Sequence, residues 1–305
     1  MSVLVVGSVA LDSVETPFGK AEDVLGGSAT FFSASASHLT KVSVVGVVGS
    51  DYPMEKLEPL KERGVDFSGL EQAEGNSFRW RGRYRHDLNS AETLETHLGV
   101  FSHFSPKIPA ALKSHPYVFL ANIDPRLQLD VLKQVVRPKL IACDTMNFWI
   151  QSRRPDIVEL LKHVDLMTLN DGEARQLTEK ANLVQAAQWI MARGPRHVII
   201  KKGEHGAFMF TANSIFFAPA FPLESVFDPT GAGDAFAGGF IGYLAATGDL
   251  SEASMRRAVI YGSVMGSFAV EKFSIERLMT VTRAEIDQRM REMRRLVTFE
   301  EELPG

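Results

Sequence analysis

Cysteine is almost absent: Cys143 stands alone in 305 residues. That excludes an intrachain disulfide and any cysteine-built metal cluster. It falls in the apolar run Leu140-Ile141-Ala142-Cys143, where a thiol behaves as a small buried hydrophobe. An excess of one charge is missing too, since 33 Lys and Arg against 37 Asp and Glu leave a net charge of −4. Such a balance gives no general pull toward nucleic acid or anionic lipid, so any phosphate recognition must be local. No run approaches the ~18 apolar residues of a membrane span. The N-terminal Met1-Ser2-Val3-Leu4-Val5-Val6 lacks a basic region and reads as a first strand rather than a signal peptide, which implies a cytoplasmic protein. No Gly-x-Gly-x-x-Gly follows that strand, which argues against a dinucleotide-dependent oxidoreductase. What remains, 45% hydrophobic and 23% charged, is ordinary globular composition with ample core material. The length allows one large α/β domain or two ordinary ones.

The stretch Asp228-Pro-Thr-Gly-Ala-Gly-Asp-Ala-Phe-Ala-Gly-Gly-Phe-Ile-Gly-Tyr243 is the most informative. Pro229 cannot continue a strand ladder. Gly231, Ala232 and Gly233 put no bulk above the backbone, and the small and apolar residues after Asp234 run on for more than two helical turns. The pattern is a loop feeding a helix. Free N–H groups and the positive end of the dipole there suit a phosphate or a developing oxyanion. Asp234 places a carboxylate at the same point, which suggests phosphoryl transfer with Asp234 as base. Gly-x-Gly-Asp alone is also compatible with a left-handed turn and an N-cap aspartate.

Val3–Val6, Lys41–Val48, Tyr117–Ala121, Leu140–Cys143, Asp165–Leu169 and His197–Lys201 are short apolar runs suited to strands buried on both faces of a parallel sheet. Helices are expected over Met54–Arg63, 126–136, Pro155–His163, Leu183–Met191, Ala253–Ala269 and 283–297. Gly26-Gly27 opens a segment of small residues, a tight turn or a helix able to approach a sheet or ligand closely. Asn122 and Asn147 fall just past strand ends, where α/β proteins bind ligands; each is equally a loop cap. Asn170 and Glu173 lie one helical turn apart at a helix start, which also describes a capping box. Gly203 and Gly206 form a turn between strands. Residues 13–24 read as a hairpin or flap. Over 77–98, Phe78, Trp80 and Gly82 alternate with Arg79, Arg81, Arg83 and Arg85 around a turn at Asp87-Leu88-Asn89-Ser90. Period-two alternation marks half-exposed strands, so both segments are expected to form a small β-sheet standing off the α/β body. The arginines alternatively resemble a nucleic-acid surface, a reading the overall charge does not support.

The string Asp228–Asp234 closely resembles the C-terminal signature of the ribokinase-like (pfkB) carbohydrate kinases, with only Pro229 differing appreciably. Gly26-Gly27, the Val-Gly-x-Asp-like Val48-Gly49-Ser50-Asp51, Asn170-x-x-Glu173 and Gly203-x-x-Gly206 follow the family's order over nearly the whole chain. The resemblance implies one kinase domain over 1–305: a three-layer, doubly wound, mostly parallel sheet with a small β lid at 13–24 and 77–98 that often forms a homodimer contact. It implies ATP and Mg²⁺, with Asp12, Gly26, Gly27 and Asn122 holding a sugar-like acceptor. Asn170, Lys201, Gly203, Gly206 and Ser263 would approach the nucleotide, and Glu173 would organise water around Mg²⁺. Asp234 would be the base, with Gly231, Ala232 and Gly233 stabilising the transferring phosphate. Asp228 and Thr230 match positions that bind a monovalent cation, K⁺. Phe31 stands where many members carry a sugar-binding Asn, and with Phe78 and Trp80 it is a candidate to stack on a base, or equally to form the core of the lid. A nucleoside kinase, adenosine-like, is therefore the alternative to a sugar or sugar-phosphate kinase. A catalytically idle ligand-binding regulator is the alternative outside catalysis.

Overall fold

The computed structural model describes residues 1–89 and 91–298. The strands are β1 (Ser2–Val6), β2 (Ala10–Thr16), β3 (Gly19–Gly26), β4 (Lys41–Gly49), β5 (Val65–Ala73), β6 (Phe78–Tyr84), β7 (Ala91–His97), β8 (Tyr117–Leu120), β9 (Leu140–Cys143), β10 (Leu166–Asn170), β11 (His197–Lys201), β12 (Ala207–Phe210) and β13 (Ile215–Ala218). The helices are α1 (Ser28–Ala36), α2 (Glu58–Glu62), α3 (Pro125–Leu132), α4 (Asn147–Leu161), α5 (Asp171–Thr178), α6 (Leu183–Met191), α7 (Ala232–Thr247), α8 (Glu252–Ala269), α9 (Glu276–Thr280) and α10 (Arg283–Val297).

The main sheet has the order β13-β12-β11-β10-β9-β8-β1-β4-β5. It is parallel from β11 to β5, with an antiparallel pair added at β12 and β13. Alternation along the strands divides the core into two layers. Val3, Val5, Tyr117 and Phe119 face α1, α7 and α8. Leu4, Val6, Val118 and Leu120 face α4, α5 and α6. Cys143 lies in this second layer, fully buried, and burial pushes its thiol pKa up, as an inert core cysteine requires. Among the described residues no helix is long and apolar enough to cross a membrane.

Three expected helices differ. The segment Met54–Arg63 splits into a 3₁₀ turn at Met54–Leu57 and the short α2, because Pro59 at the first positions of α2 restarts the helix. The helix expected over 126–136 ends at Leu132. The helix expected from Pro155 begins at Asn147 and carries Pro155 inside it, with the break absorbed at Arg153 (φ −140°, ψ 25°).

The second sheet, β3-β2-β6-β7, is built from the two segments expected to form the lid. The parallel pairing of β2 with β6 sets Asp12 beside Trp80 and Leu11 beside Arg79. One face therefore carries Asp12, Phe78, Trp80 and Tyr84, the other the arginines. Those arginines are paired: Arg79 with Asp23 and Asp51, Arg81 with Glu22 and Glu95, Arg83 with Glu15, and Arg85 with Glu92. The free edges are β3 and β7, and β7 is exposed along its whole length. Ser90, part of the expected turn, lies outside the described residues.

Helix α7 is the element that packing fixes most tightly. It runs between α1 and α8, and its small residues let both neighbours approach. A Cβ on Gly238 would lie 2.4 Å from the Phe32 carbonyl oxygen of α1, and one on Gly239 would lie 2.7 Å from the Tyr261 carbonyl oxygen of α8. Ser35 Oγ also donates to the Ala235 carbonyl at 2.6 Å. Gly238→Ala is expected to destabilise the fold by about 1–3 kcal/mol, read as a lower urea midpoint with unchanged slope; an unchanged midpoint would show that α1 can yield.

Candidate active site

The N-termini of α1 and α7 both lie at the carboxyl-end edge of the parallel sheet, and the local sequence makes them different. At α1 the donors are consumed. Ser28 N–H donates to Ser8 Oγ at 3.0 Å and Ala29 N–H to the Ser8 carbonyl at 3.0 Å. Gly27 turns the chain there with φ +91°, in a space where a Cβ would meet the Ser8 carbonyl at 2.5 Å. At α7 no serine or threonine caps the helix. Gly231 is the N-cap at φ +72° with no side-chain bond. The Ala232 amide donates to the Pro229 carbonyl at 3.2 Å. That leaves the Ala232 amide less free for an anion than its neighbours. Among the described residues the amides of Gly231, Gly233 and Asp234 have no protein acceptor, so α7 keeps the open, positively polarised end that an anion needs.

Three acidic side chains converge near that end. Asp234, half-buried in the first turn of α7, is pushed up to about 7 by burial and by the Asp144 charge, with Lys201 pulling the other way. Asp12, on β2, is 6% exposed and also stands at about 7, raised by burial and by Asp228 and Asp234 against the Gly27 amide. No salt bridge neutralises it among the described residues. Its carboxylate packs on Gly26, where a Cβ would lie 2.1 Å away. Glu173 reaches about 7 through burial and Asp144, opposed by Lys201.

Glu173 and Asn170 form the expected capping box, each bonding the other's backbone amide at 2.7 Å. The box uses Asn170 Oδ1 and leaves the amide nitrogen of this exposed residue outside it. Among the described residues the cation at the centre is Lys201, at the end of β11. Its Nζ bonds Asp144 Oδ2 at 3.0 Å and lies 2.9 Å from where a Cβ on Gly233 would be. Burial lowers the Lys201 pKa, but Asp144, Glu173 and Asp234 outweigh it and the net shift is upward. Asp144 is the residue that sequence reasoning did not place in the site. Its only signal was its position past the end of β9. Gln128, 1% exposed, fixes that strand end by donating to the carbonyls of Leu120, Ala121 and Asp144.

Asp228 is 1% exposed, and burial raises its pKa. Its oxygens accept from the Thr230 amide at 2.9 Å and the Ser274 amide at 3.2 Å. The remaining candidates fall less centrally. Phe31 is 2% exposed and its ring lies under Gly231, where a Cβ would sit 2.2 Å away; it props the turn and has little surface to offer a base. Trp80 folds over Gly82 and donates its indole N–H to Thr93 at 3.2 Å. Asn122 donates to Met146 Sδ and its Oδ1 is buried without a partner. Gly206 is buried against the Ala218 carbonyl, whereas Gly203 is exposed. Ser263 is buried on α8, with no hydrogen bond to the central residues among the described ones.

Between pH 4 and 7 the folded protein holds protons on Asp12, Glu173 and Asp234 that the unfolded chain has released. Stability therefore falls as pH rises through that window. Asp234→Asn is expected to raise the urea midpoint at pH 8, with the gap narrowing at pH 5. A variant no more stable than the parent at pH 8 would contradict the raised pKa.

A family model described as pfkB family carbohydrate kinase matches residues 3–279. A cytidine kinase of Thermococcus kodakarensis is 30% identical over 248 residues, covering 79% of this chain and 87% of that one. An ATP-dependent ribose-1-phosphate kinase of Halopiger xanaduensis is 27% identical across 79% of both chains. The fold is that of the aminoimidazole riboside kinase of Salmonella enterica, solved with aminoimidazole riboside and an ATP analog. That likeness has a TM-score of 0.78 at 20% identity, over 95% of this chain and all of the other.

Proposed function

The chain belongs to the pfkB family of carbohydrate kinases, enzymes that move the γ-phosphoryl group of ATP to a sugar-like alcohol, and from that premise we propose that its acceptor is a neutral nucleoside such as cytidine, phosphorylated on its CH₂OH. The similarity to a cytidine kinase over most of both chains supports this. The observation that carries it is the charge of the acceptor end. Asp12 shares its sheet face with Phe78, Trp80 and Tyr84, while all four lid arginines face the other way and are paired. A sugar phosphate would bring a second anion to a place from which, among the described residues, the lid arginines face away and are already paired. A neutral acceptor brings hydroxyls, from which Asp12 can accept hydrogen bonds, and a flat aromatic base, whose faces aromatic rings can cover.

In this reading the acceptor's hydroxyls bond Asp12, and its CH₂OH oxygen lies against Asp234. With a pKa near the working pH, Asp234 takes the proton as the oxygen attacks phosphorus. The open amides at Gly231 and Gly233 hold the transferring phosphoryl group, and Lys201 adds charge beside Gly233. Mg²⁺ fits this site: Glu173, Asp144 and Asp234 are buried together against one ammonium, and each has a raised pKa, a deficit of positive charge that ATP alone would worsen. No cluster of three or more metal-ligating side chains exists among the described residues, which suits an ion that arrives on the nucleotide and keeps its waters. When bound, Mg²⁺ neutralises the triphosphate; Glu173 would orient its water shell.

Asp228 is a buried carboxylate with no salt bridge among the described residues, and K⁺ beside Asp228 and Thr230 would supply the missing charge. Turnover is expected to rise several-fold in K⁺ over tetramethylammonium buffer at equal ionic strength; equal rates would exclude the ion.

ADP release measured with cytidine, inosine, ribose and ribose 1-phosphate tests the acceptor. A neutral nucleoside is expected to give the highest turnover, and Asp234→Asn to lose about 10²–10⁴-fold. Turnover confined to ribose 1-phosphate would overturn the acceptor reading. An Asp234→Asn enzyme as fast as the parent would overturn the base.

A further inference from the structure

Two of the contacts between the lid and the body of the enzyme lie near the end of β6. The first is Tyr84. Thr230 Oγ1, in the loop before α7, donates to the Tyr84 hydroxyl at 3.3 Å. The phenol is also close enough to Asp228, Asp12 and Asp234 for all three to disfavour its ionisation, after burial itself. A strand of the lid thus carries a hydroxyl into the space between the acceptor's anchor and the base. Since Thr230 supplies the hydrogen of that bond, the phenol's own proton remains for another oxygen.

The second place is Asn89, five residues on. Its Nδ2 donates to Glu204 Oε1 at 3.3 Å. Its Oδ1 lies 2.5 Å from where a Cβ on Gly203 would be, at a backbone φ of +55°. Gly203 belongs to the turn after β11, the strand that ends in Lys201. The tip of the lid therefore rests on the turn leading from the phosphate-side lysine, and a glycine there lets it come down. The sequence resemblance assigned Gly203 to the nucleotide; its nearest neighbour here is the lid.

We propose that Tyr84 is the positioning residue through which the closed lid holds an acceptor alcohol, rather than water, against Asp234, while Asn89 latches the same strand to the turn at Gly203. This rests on the phosphoryl-transfer reading of the site but not on the identity of the acceptor. An alcohol and a water molecule compete for the same place. Attack by water on the γ-phosphorus gives ADP and inorganic phosphate in place of a phosphorylated product. A lid held down at Tyr84 and Asn89 covers the space through which water would enter, and a single fixed hydroxyl orients the alcohol that replaces it.

The test uses Tyr84→Phe, which keeps the ring, and Gly203→Ala, which disturbs the latch from the other side. With cytidine and ATP, Tyr84→Phe is expected to lower kcat/KM for cytidine about ten-fold, leave KM for ATP within about two-fold, and form more than one ADP per phosphorylated cytidine. With ATP alone, both variants are expected to release ADP several-fold faster than the parent, with the melting temperature of Tyr84→Phe unchanged. This arm does not need cytidine to be a substrate, so failure of the acceptor reading and failure of the latch are told apart. Parental ADP release from ATP alone in both variants would overturn the proposal. So would a Tyr84→Phe enzyme with a lowered melting temperature and both KM values raised together, which is the mark of a merely structural tyrosine.

Discussion

The site depends on where helix α7 ends. That end is set by packing far from any ligand: Gly238 against the backbone of α1, and Gly239 against the backbone of α8. Close helix approach leaves α7 little freedom to slide or tilt. Its first turn is thereby held at the carboxyl edge of the sheet with amides unfilled, Asp234 in the turn and Phe31 beneath Gly231. The contrast with α1 is instructive. The same kind of glycine-led helix start is closed there by Ser8, so it serves packing, while the uncapped start of α7 is left open for an anion.

Electrostatics explains why the open end works with cations rather than by itself. Asp12, Asp144, Glu173, Asp228 and Asp234 all have raised pKa values, with burial the first cause in each case. Lys201 opposes the shift at Asp144, Glu173 and Asp234, while backbone amides oppose it at Asp12 and Asp228. A triphosphate entering such a place meets repulsion unless cations come with it, which ties nucleotide binding to ions and keeps the free site poorly suited to stray phosphate. The same crowding holds Asp234 near neutrality, where a carboxylate can still accept a proton yet is far more basic than in water. The acidic residues therefore tune one another, at a cost in stability that tight packing around α7 offsets.

Much of this was legible from local pattern. Asp228–Asp234, Gly26-Gly27 and Asn170-x-x-Glu173 are contiguous or one helical turn apart, so spacing alone places their groups together. The second sheet was legible from period-two alternation. What was not legible is what the topology brings together. Asp144 meets Lys201 across 57 positions of sequence because β9, β10 and β11 lie side by side, and strand order is not written in either segment. Tyr84 reaches Thr230 across 146 positions because a lid strand folds over the body. Phe31 lies 200 positions from Gly231, yet its ring is buried beneath that turn, a contact neither segment shows by itself. The helix expected from Pro155 starts a full eight residues earlier, since a kink at Arg153 lets a proline sit inside it.

The most direct test of the central claim is a crystal structure with ADP, Mg²⁺, aluminium fluoride as a mimic of the transferring phosphoryl group, and an acceptor nucleoside. The account predicts the fluoride within hydrogen-bond distance of the amides at Gly231 and Gly233, with the acceptor's CH₂OH oxygen between the aluminium and the Asp234 carboxylate. A mimic bound away from the start of α7, or an acceptor oxygen facing any base other than Asp234, would contradict it.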